Sequence, residues 1–393
     1  LEVRLSQRVQ RIKPSPTLTV TARAAALRAA GEDIIGLGAG EPDFDTPEHI
    51  KDAAKQALDR GFTKYTAVDG IPSLKQAVIH KFQRDNGLSY APDQVIVSCG
   101  GKQCFYNLAQ ALLDPGDEVV IPAPYWVSYP DMVLLADGLP VTVDGPMEQG
   151  FKITPEQLAA ALTPRTRMVI INSPSNPTGV CYTRAELTAL GEVLRAHPRV
   201  LVVTDDIYEH IVWGEEPFAN ILTTCPELYE RTVVLNGVSK SYSMTGWRIG
   251  YAAGPARLIR AMANIQSQST SNPTSIAQVA AQAAIQGDQG FIAEMVSAFK
   301  ARHDFVVGAL NRLRGVQCLP AQGAFYLFPD VREAMALADL ADDVAFANLL
   351  LKEGKVAVVP GSAFGAPGFM RISIATSMQS LERAMERLEG VLG

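Results

Sequence analysis

Between residues 94 and 254 the chain keeps one rhythm: a short unbroken apolar run, a few turn residues, then a longer stretch with apolar positions at helical spacing. The apolar runs are QVIVSC (94–99), DEVVIP (117–122), LPVTV (139–143), RMVIIN (167–172), VLVVTDD (200–206), TVVLNG (232–237) and WRIGYAAG (247–254). Val and Ile runs without polar alternation belong to strands covered on both faces, and helical segments such as 102–114 and 183–197 supply the cover. The pattern predicts an α/β fold around a mostly parallel, seven-stranded sheet. The texture changes near residue 291. Residues 291–314 read as one long amphipathic helix, and GAFYLFPD (323–330), GKVAVVPG (354–361) and FMRISIA (369–375) read as strands of a smaller α+β unit. Residues 1–47 are too few to fold alone and are expected to pack on that unit. The predicted organisation is a large domain over 48–290 and a small domain built from 1–47 and 291–393.

Composition narrows the function. The chain has 393 residues, 47% of them hydrophobic, enough for about two or three domains with large cores. Net charge is −6 and the basic residues do not cluster, which argues against a nucleic-acid surface and against an anionic membrane surface. The five cysteines are odd in number and scattered, so neither a disulfide framework nor a zinc site fits them, and a reducing compartment is expected. Residues 1–16 lack an apolar signal core, and no apolar run approaches transmembrane length. The expectation is a soluble, cytoplasmic protein.

Ligands of open α/β sheets bind past the carboxyl ends of the strands. Four polar groups fall there: CGGKQ (99–103), NSPSNPTG (172–179), TDDIYEH (204–210) and GVSKS (237–241). In CGGKQ two glycines precede a helix start, where free N–H groups and the helix dipole suit a phosphate; a plain strand-to-helix turn fits the same residues, and the spacing is not that of a Walker loop. Asp205 and Asp206 read equally as a helix N-cap beside a solvated acid or as an anion facing a cationic ring nitrogen, with Tyr208 in reach of the same ligand. Lys240 follows directly on an apolar strand among small residues. That favours a desolvated lysine with a lowered pKa, able to form a Schiff base, over a surface lysine. Arg248 opens the next apolar run, where a guanidinium is costly unless paired, and a phosphate would pair it.

NSPSNPTG carries two X-Pro steps and hence an extended loop, from which Asn176 can aim an amide. A core position is the commoner fate of a residue like Trp126; stacking on a heteroaromatic ring is the functional alternative. Arg371 interrupts an apolar run near the C-terminus. A salt bridge is its ordinary use, and a two-pronged grip on a substrate carboxylate is the alternative. Gly36, Gly38 and Gly40 in IIGLGAGEPDF are not a dinucleotide fingerprint, because Pro42 follows where a helix would have to open. Close approach of backbone to a small substrate accounts for them better. Taken together, a Schiff-base lysine, an acid for a ring nitrogen, a phenol, a stacking ring, a phosphate nest with an arginine and a carboxylate clamp are what pyridoxal 5'-phosphate needs to act on an amino acid.

With these residues in view, the sequence resembles the class I aminotransferases of the aspartate aminotransferase family over nearly its whole length. GVSKSYSMTGWRIG fits that family's lysine-site pattern throughout, and GEPDFDTPEHI, TKYT, GGKQ, PYWVSYP, NSPSNPTG, TDDIYEH and GAFY occur in the family's order. The resemblance implies the type I fold of pyridoxal-phosphate enzymes and ping-pong transfer of an amino group from aspartate or glutamate to a 2-oxo acid such as 2-oxoglutarate. It implies Lys240 as Schiff-base lysine and proton shuttle, Asp205 on the pyridinium nitrogen, Tyr208 and Asn176 on the phenolate oxygen, and Trp126 on the ring. The backbone amides of Gly101 and Lys102 then hold the phosphate with Arg248, Arg371 clamps the α-carboxylate, and Gly40 lies against the substrate. Tyr65, in TKYT, is implied to reach the phosphate of the neighbouring subunit, which makes the active unit a homodimer with shared sites.

Two departures stand out against that pattern. Gly237 occupies the place, three residues before the lysine, where many relatives have a phosphate-binding serine. The stretch QSQSTSNPT (266–274) lacks the arginine that vertebrate-type enzymes lend to the partner's distal carboxylate. GGKQ together with KPSPT near the N-terminus resembles instead a bacterial branch in which Lys102 and Thr17 contact the distal group, and which includes enzymes that also accept prephenate. An aromatic aminotransferase or a β-lyase would use the same cofactor. A non-catalytic pyridoxal-phosphate-binding regulator would need a DNA-binding domain for which no residues are left over.

Overall fold

A computed structural model describes residues 3–14 and 16–393. Its strands, in chain order, are β1 Ile35–Gly36, β2 Val95–Ser98, β3 Glu118–Ala123, β4 Leu139–Asp144, β5 Thr166–Asn172, β6 Leu201–Asp205, β7 Thr232–Gly237, β8 Gly250–Ala253, β9 Tyr326–Leu327, β10 Val356–Ala357, β11 Val359–Pro360 and β12 Met370–Ser373. The predicted seven strands form one sheet in the order β2-β8-β7-β6-β5-β3-β4. The run from β4 through β3, β5 and β6 to β7 is parallel throughout. β8 is antiparallel to both of its neighbours.

Successive strand residues point to opposite faces, and here both faces are covered. Val97, Val120, Val169, Ile171, Val202 and Val234 belong to one buried layer. Their neighbours Ile96, Val119, Ile121, Met168, Ile170, Val203 and Leu235 belong to the other. That is why the strands read as unbroken apolar runs. Phe105 and Leu108 of helix Gly101–Leu112, with Ile259 and Met262 of helix Ala256–Ser267, cover the second face. Leu187, Leu190 and Leu194 of helix Arg184–Arg195 help cover the first. The latter helix starts at Thr183, which accepts from the Glu186 N–H while Glu186 reaches back to the Thr183 N–H, a reciprocal cap that fixes its first turn.

The last predicted run is shorter than its apolar character suggests. Thr245–Trp247 forms a single 3₁₀ turn, and Arg248 takes a left-handed conformation with φ 55°. β8 therefore begins only at Gly250, and Arg248 stands on the turn before the strand instead of opening it.

A separate core gathers beyond residue 290. The predicted long helix spans Gly290–Leu310, and its Met295, Phe299, Val306 and Leu310 pack with Phe325, Leu327, Ile372, Leu381 and Leu388. β11, β12 and β9 form an antiparallel three-stranded sheet there. The N-terminal segment attaches to the same side: β1 pairs in parallel with β10, and Ala24 of helix Pro16–Ala29 packs with Leu351 and Ala357. All five cysteines are free. Among the described residues no helix is long and apolar enough to cross a membrane.

Candidate active site

β5, β6 and β7 are parallel neighbours that end at Asn172, Asp205 and Gly237, so the loops that follow them open on one edge of the sheet. A cavity of about 420 Å³ lies over that edge. Thr17, Gly40, Gly101, Lys102, Trp126, Asn176, Asp205, Tyr208, Lys240, Arg248 and Arg371 all line it. Tyr65 does not; it stands on the surface, 91% exposed.

Lys240 lies three residues past the end of β7, and its Nζ donates to the Gly40 carbonyl at 2.6 Å. Burial pushes its amine down to about 8, with the Arg371 and Arg248 charges acting the same way against Glu41 and Asp205. An amine with that pKa can gain or lose a proton near neutrality.

The two aspartates part company. Asp205 lines the cavity; its Oδ2 accepts from the Tyr129 hydroxyl at 2.5 Å and its Oδ1 from the Ile207 N–H at 3.3 Å. Burial pushes its carboxyl up, while these hydrogen bonds and the Lys240 charge hold it back. Asp206 lies off the cavity and is neither a helix cap nor a solvated acid, because no helix follows it and it is 1% exposed. It accepts from the Thr204 hydroxyl at 2.5 Å and from the Asn220 amide. Burial first, then the Glu209 charge, push it up to about 8.

Arg371 forms no salt bridge with a described residue and is 2% exposed. Nη1 donates to Asn176 Oδ1 at 3.0 Å, Nη2 donates to the Gly38 carbonyl at 2.7 Å, and Nε has no partner. The Tyr326 and Phe364 rings flank the guanidinium, with centroids 4.5 and 5.0 Å away. Burial pushes its pKa down. A buried cation held only by neutral oxygens and ring faces is under-neutralised, and it lines the cavity. Because Arg371 takes the side-chain Oδ1 of Asn176, the amide NH₂ of Asn176, which has no partner among the described residues, can donate.

On the far side, helix Gly101–Leu112 starts after Gly100, whose φ is 88°. A Cβ at Gly100 would lie 2.4 Å from Arg248 Nη2, so the glycine is what lets the guanidinium lie across the helix start. Arg248 itself donates to the Thr245 carbonyl at 2.8 Å and the Cys99 carbonyl at 3.3 Å. Free N–H groups of a first helical turn beside a guanidinium make an anion site. Position 237, where many relatives have a serine, is tightly packed. Gly237 faces Gly250 across the β7–β8 ladder, and a Cβ there would sit 3.0 Å from both the Gly250 Cα and the Ile249 carbonyl oxygen. Ser239, which does line the cavity, is the nearest hydroxyl on that turn.

The sequence reading missed two contributors. Tyr129 holds Asp205, and its place three residues after Trp126, at a helix start, was a usable signal. Tyr326 lines the cavity and sits 3.0 Å, oxygen to oxygen, from Tyr208; nothing in GAFY marked it. Lys102 places its ammonium 5.1 Å from the Trp126 ring centroid. The Thr17 hydroxyl is buried without a partner among the described residues.

Fold and cavity together give an α/β protein with two positions suited to an anion, one at a helix N-terminus beside Arg248 and one at the buried Arg371. Comparison with known proteins makes this specific: the family aminotransferase class I and II matches residues 32–388, and the chain belongs to it. It is 60% identical to the aspartate/prephenate aminotransferase of Nitrosomonas europaea, over 99% of this chain and 100% of that one. It is 56% identical to the aspartate aminotransferase of Geobacillus stearothermophilus, over 98% of each. Among solved structures, the aspartate aminotransferase of Rhizobium meliloti superposes with a TM-score of 0.95 at 48% identity, covering 100% of this chain and 99% of that one. That of Thermus thermophilus with maleate gives 0.94 at 45%, covering both chains fully. The protein is an aminotransferase with the type I fold, and membership of this family implies use of pyridoxal phosphate.

Proposed function

We propose that this aminotransferase moves the amino group of aspartate or glutamate to a 2-oxo acid such as 2-oxoglutarate by a ping-pong mechanism, and that it also transaminates prephenate. The observation that carries the proposal is the buried guanidinium of Arg371 on the cavity wall, without a carboxylate partner among the described residues. An amino or 2-oxo acid brings that carboxylate.

The residues present fit pyridoxal 5'-phosphate. Asp205 suits the ring nitrogen, Tyr208 and the free amide of Asn176 the phenolic oxygen, and Trp126 a ring face. The Gly101 and Lys102 N–H groups with Arg248 suit the phosphate. When bound, the cofactor supplies an aldehyde for the amino group and an electron-withdrawing ring. The protein's own part is positional and acid–base. Arg371 fixes the α-carboxylate and so aims the Cα–H bond at Lys240, whose amine takes that proton and returns it. Gly40 offers only backbone where the substrate lies: even a Cβ there would come within 3.1 Å of the Tyr326 hydroxyl. Tyr129 keeps Asp205 oriented toward the ring nitrogen.

For the distal group we infer Lys102 and Thr17. Both line the cavity, and the Thr17 hydroxyl is buried without a partner among the described residues. A relative solved with maleate, a dicarboxylate, agrees with this reading. Tyr65, large and exposed away from its own cavity, suits the phosphate of a second copy in a homodimer. The division into a cofactor-binding domain over 48–290 and a small domain from 1–47 and 291–393 is supported by largely separate cores, with Tyr208 and Ile211 of the first range packing into the second. Free cysteines suit a cytoplasmic setting. A panel of aspartate, glutamate, phenylalanine and cysteine conjugates against 2-oxoglutarate and prephenate tests the proposal. Aspartate with 2-oxoglutarate is expected to be among the fastest pairs. Preference for aromatic donors, or elimination from cysteine conjugates, would assign a different reaction to the same site.

A further inference from the structure

Directly behind the cavity lies a polar cluster that the proposed chemistry does not use. Lys81 and Glu209 form an ion pair, and both side chains are almost fully buried. Glu209 spends its remaining capacity on two amides: Oε2 accepts from Asn86 Nδ2 at 2.9 Å, and Oε1 accepts from Asn236 Nδ2 at 2.7 Å. The next residue, His210, bridges in the same sense. Its Nε2 lies 3.0 Å from Asp85 Oδ2 and its Nδ1 lies 3.3 Å from Ser241 Oγ. The outer partners Lys81, Asp85 and Asn86 all come from one place, the residues at and within the π-helical turn Phe82–Asn86. The inner partners bracket Lys240, four residues before it and one after it.

The arrangement is two parallel relays. One runs from Lys81 and Asn86 through Glu209 to Asn236, the other from Asp85 through His210 to Ser241. Glu209 and His210 directly follow Tyr208, so the same two residues tie the Asp205–Tyr208 turn to the Lys240 turn. Asp85, Glu209 and His210 bring their polar atoms within 4.8 Å of one another; the Lys81 ammonium pairs with Glu209 and lies 3.8 Å from Asp85, which also pairs with Arg84 at 2.5 Å.

Stability does not account for this. A buried ion pair repays little or none of its desolvation cost, and an apolar pair of the same volume is commonly as stable. A π-turn also gives up regular helical hydrogen bonding and recurs where side chains must be aimed at a functional site. We propose that Glu209 and His210 are positioning residues that set the attitude of the Lys240 turn relative to Asp205 and Tyr208, with Lys81, Asp85 and Asn86 as their fixed abutment. The proposal rests on the reading of Lys240 as the proton-carrying amine.

The test compares the loaded enzyme with Glu209→Gln, with the neutral pair Lys81→Met/Glu209→Leu, and with Ser241→Ala. The first two misalign the lysine while leaving Arg371 and Lys102 untouched. Their kcat for aspartate and 2-oxoglutarate is expected to fall roughly ten- to a hundredfold, the scale of a misplacement of about 1 Å, with KM values within about threefold of the parent. Ser241→Ala deletes one hydroxyl and should lower kcat roughly threefold to tenfold. Amide hydrogen exchange over residues 236–244 should quicken in all three, while exchange in the Arg371 strand stays unchanged. Folded variants with parental kcat and exchange would overturn the proposal, as would a loss appearing in KM alone. If neither Glu209 variant folds, Ser241→Ala decides by the same two readouts. The exchange measurement needs no turnover, so it remains decisive even if Lys240→Ala were found active and the reading of the lysine itself were wrong.

Discussion

The cavity has two walls of different construction. One is the edge of the parallel sheet, where Asp205 and Asn172 sit in register on adjacent strands, and the Lys240 turn follows the next strand along. Positions there are set by continuous backbone ladders and by polar contacts from behind. The opposite wall carries Arg371 on β12 and Gly40 just beyond β1, and Arg371 is held by neutral oxygens and aromatic faces. The contrast lies in what supports each wall, and the two meet where Arg371 donates to Asn176 and Lys240 donates to the Gly40 carbonyl. On the proposed reading the first wall has the groups that hold and move protons, and the second a fixed charge for a carboxylate. Substitutions on the sheet edge should therefore appear in kcat, and those on the opposite wall in KM.

The largest effect should come from Lys240→Ala. With no amine to carry the Cα proton, turnover of aspartate should fall to background while the variant still binds the cofactor without a covalent link. Product assays over hours check this, and appreciable turnover would remove Lys240 from its role. Asp205→Asn comes next. Loss of about 4 kcal/mol of stabilisation is roughly a thousandfold in rate, whereas Asp206→Asn, off the cavity, should cost less than about tenfold. If kcat ranked the two variants the other way round, the chemistry would belong to Asp206.

On the other wall, Arg371→Leu should raise KM for every amino donor, about a hundredfold for the loss of about 3 kcal/mol from a charge-assisted contact. Its kcat should change much less. Lys102→Ala sharpens the contrast further. It should cost dicarboxylic donors roughly ten- to a hundredfold in kcat/KM and leave phenylalanine nearly unaffected. Equal losses for both classes would confine Lys102 to the phosphate nest.

The smallest effect concerns stability and pH. In the cofactor-free protein burial pushes the Lys240 amine down to about 8, from the ordinary lysine value of 10.5. Between those values the unfolded chain binds the proton that the native amine has released, so the wild type gains stability as pH rises through that window. Urea midpoints of wild type and Lys240→Ala, compared from pH 7.5 to 10.5, should converge or cross in the wild type's favour as pH rises.

Much of this was legible in the sequence, for identifiable reasons. The sheet could be read because burial on both faces writes itself as unbroken Val and Ile runs, and the strand-end rule then gathered Lys240, Asp205, Asn176 and Gly101 at one edge. Arg248 was placed at the start of a strand because an apolar run does not reveal a residue at φ 55°. Only the family resemblance told Asp205 from Asp206, since on the residues alone that choice depends on which strand residue faces the cavity. The Tyr326–Tyr208 contact and the ion pair of Lys81 with Glu209 join residues far apart in the chain, and no local pattern encodes such a meeting. The close approach of Gly237 to Gly250 is likewise a property of the β7–β8 pairing, although its trace, a glycine where relatives have serine, was visible.

The central claim, that one site alternates between an amino donor and an oxo acceptor, is tested most directly by product stoichiometry in half-reactions. Loaded enzyme given aspartate alone should release one oxaloacetate per active site and stop; 2-oxoglutarate added after removal of aspartate should then release one glutamate per site. A protein that forms no oxaloacetate from aspartate alone, or that makes product only when both substrates are present together, would contradict the account.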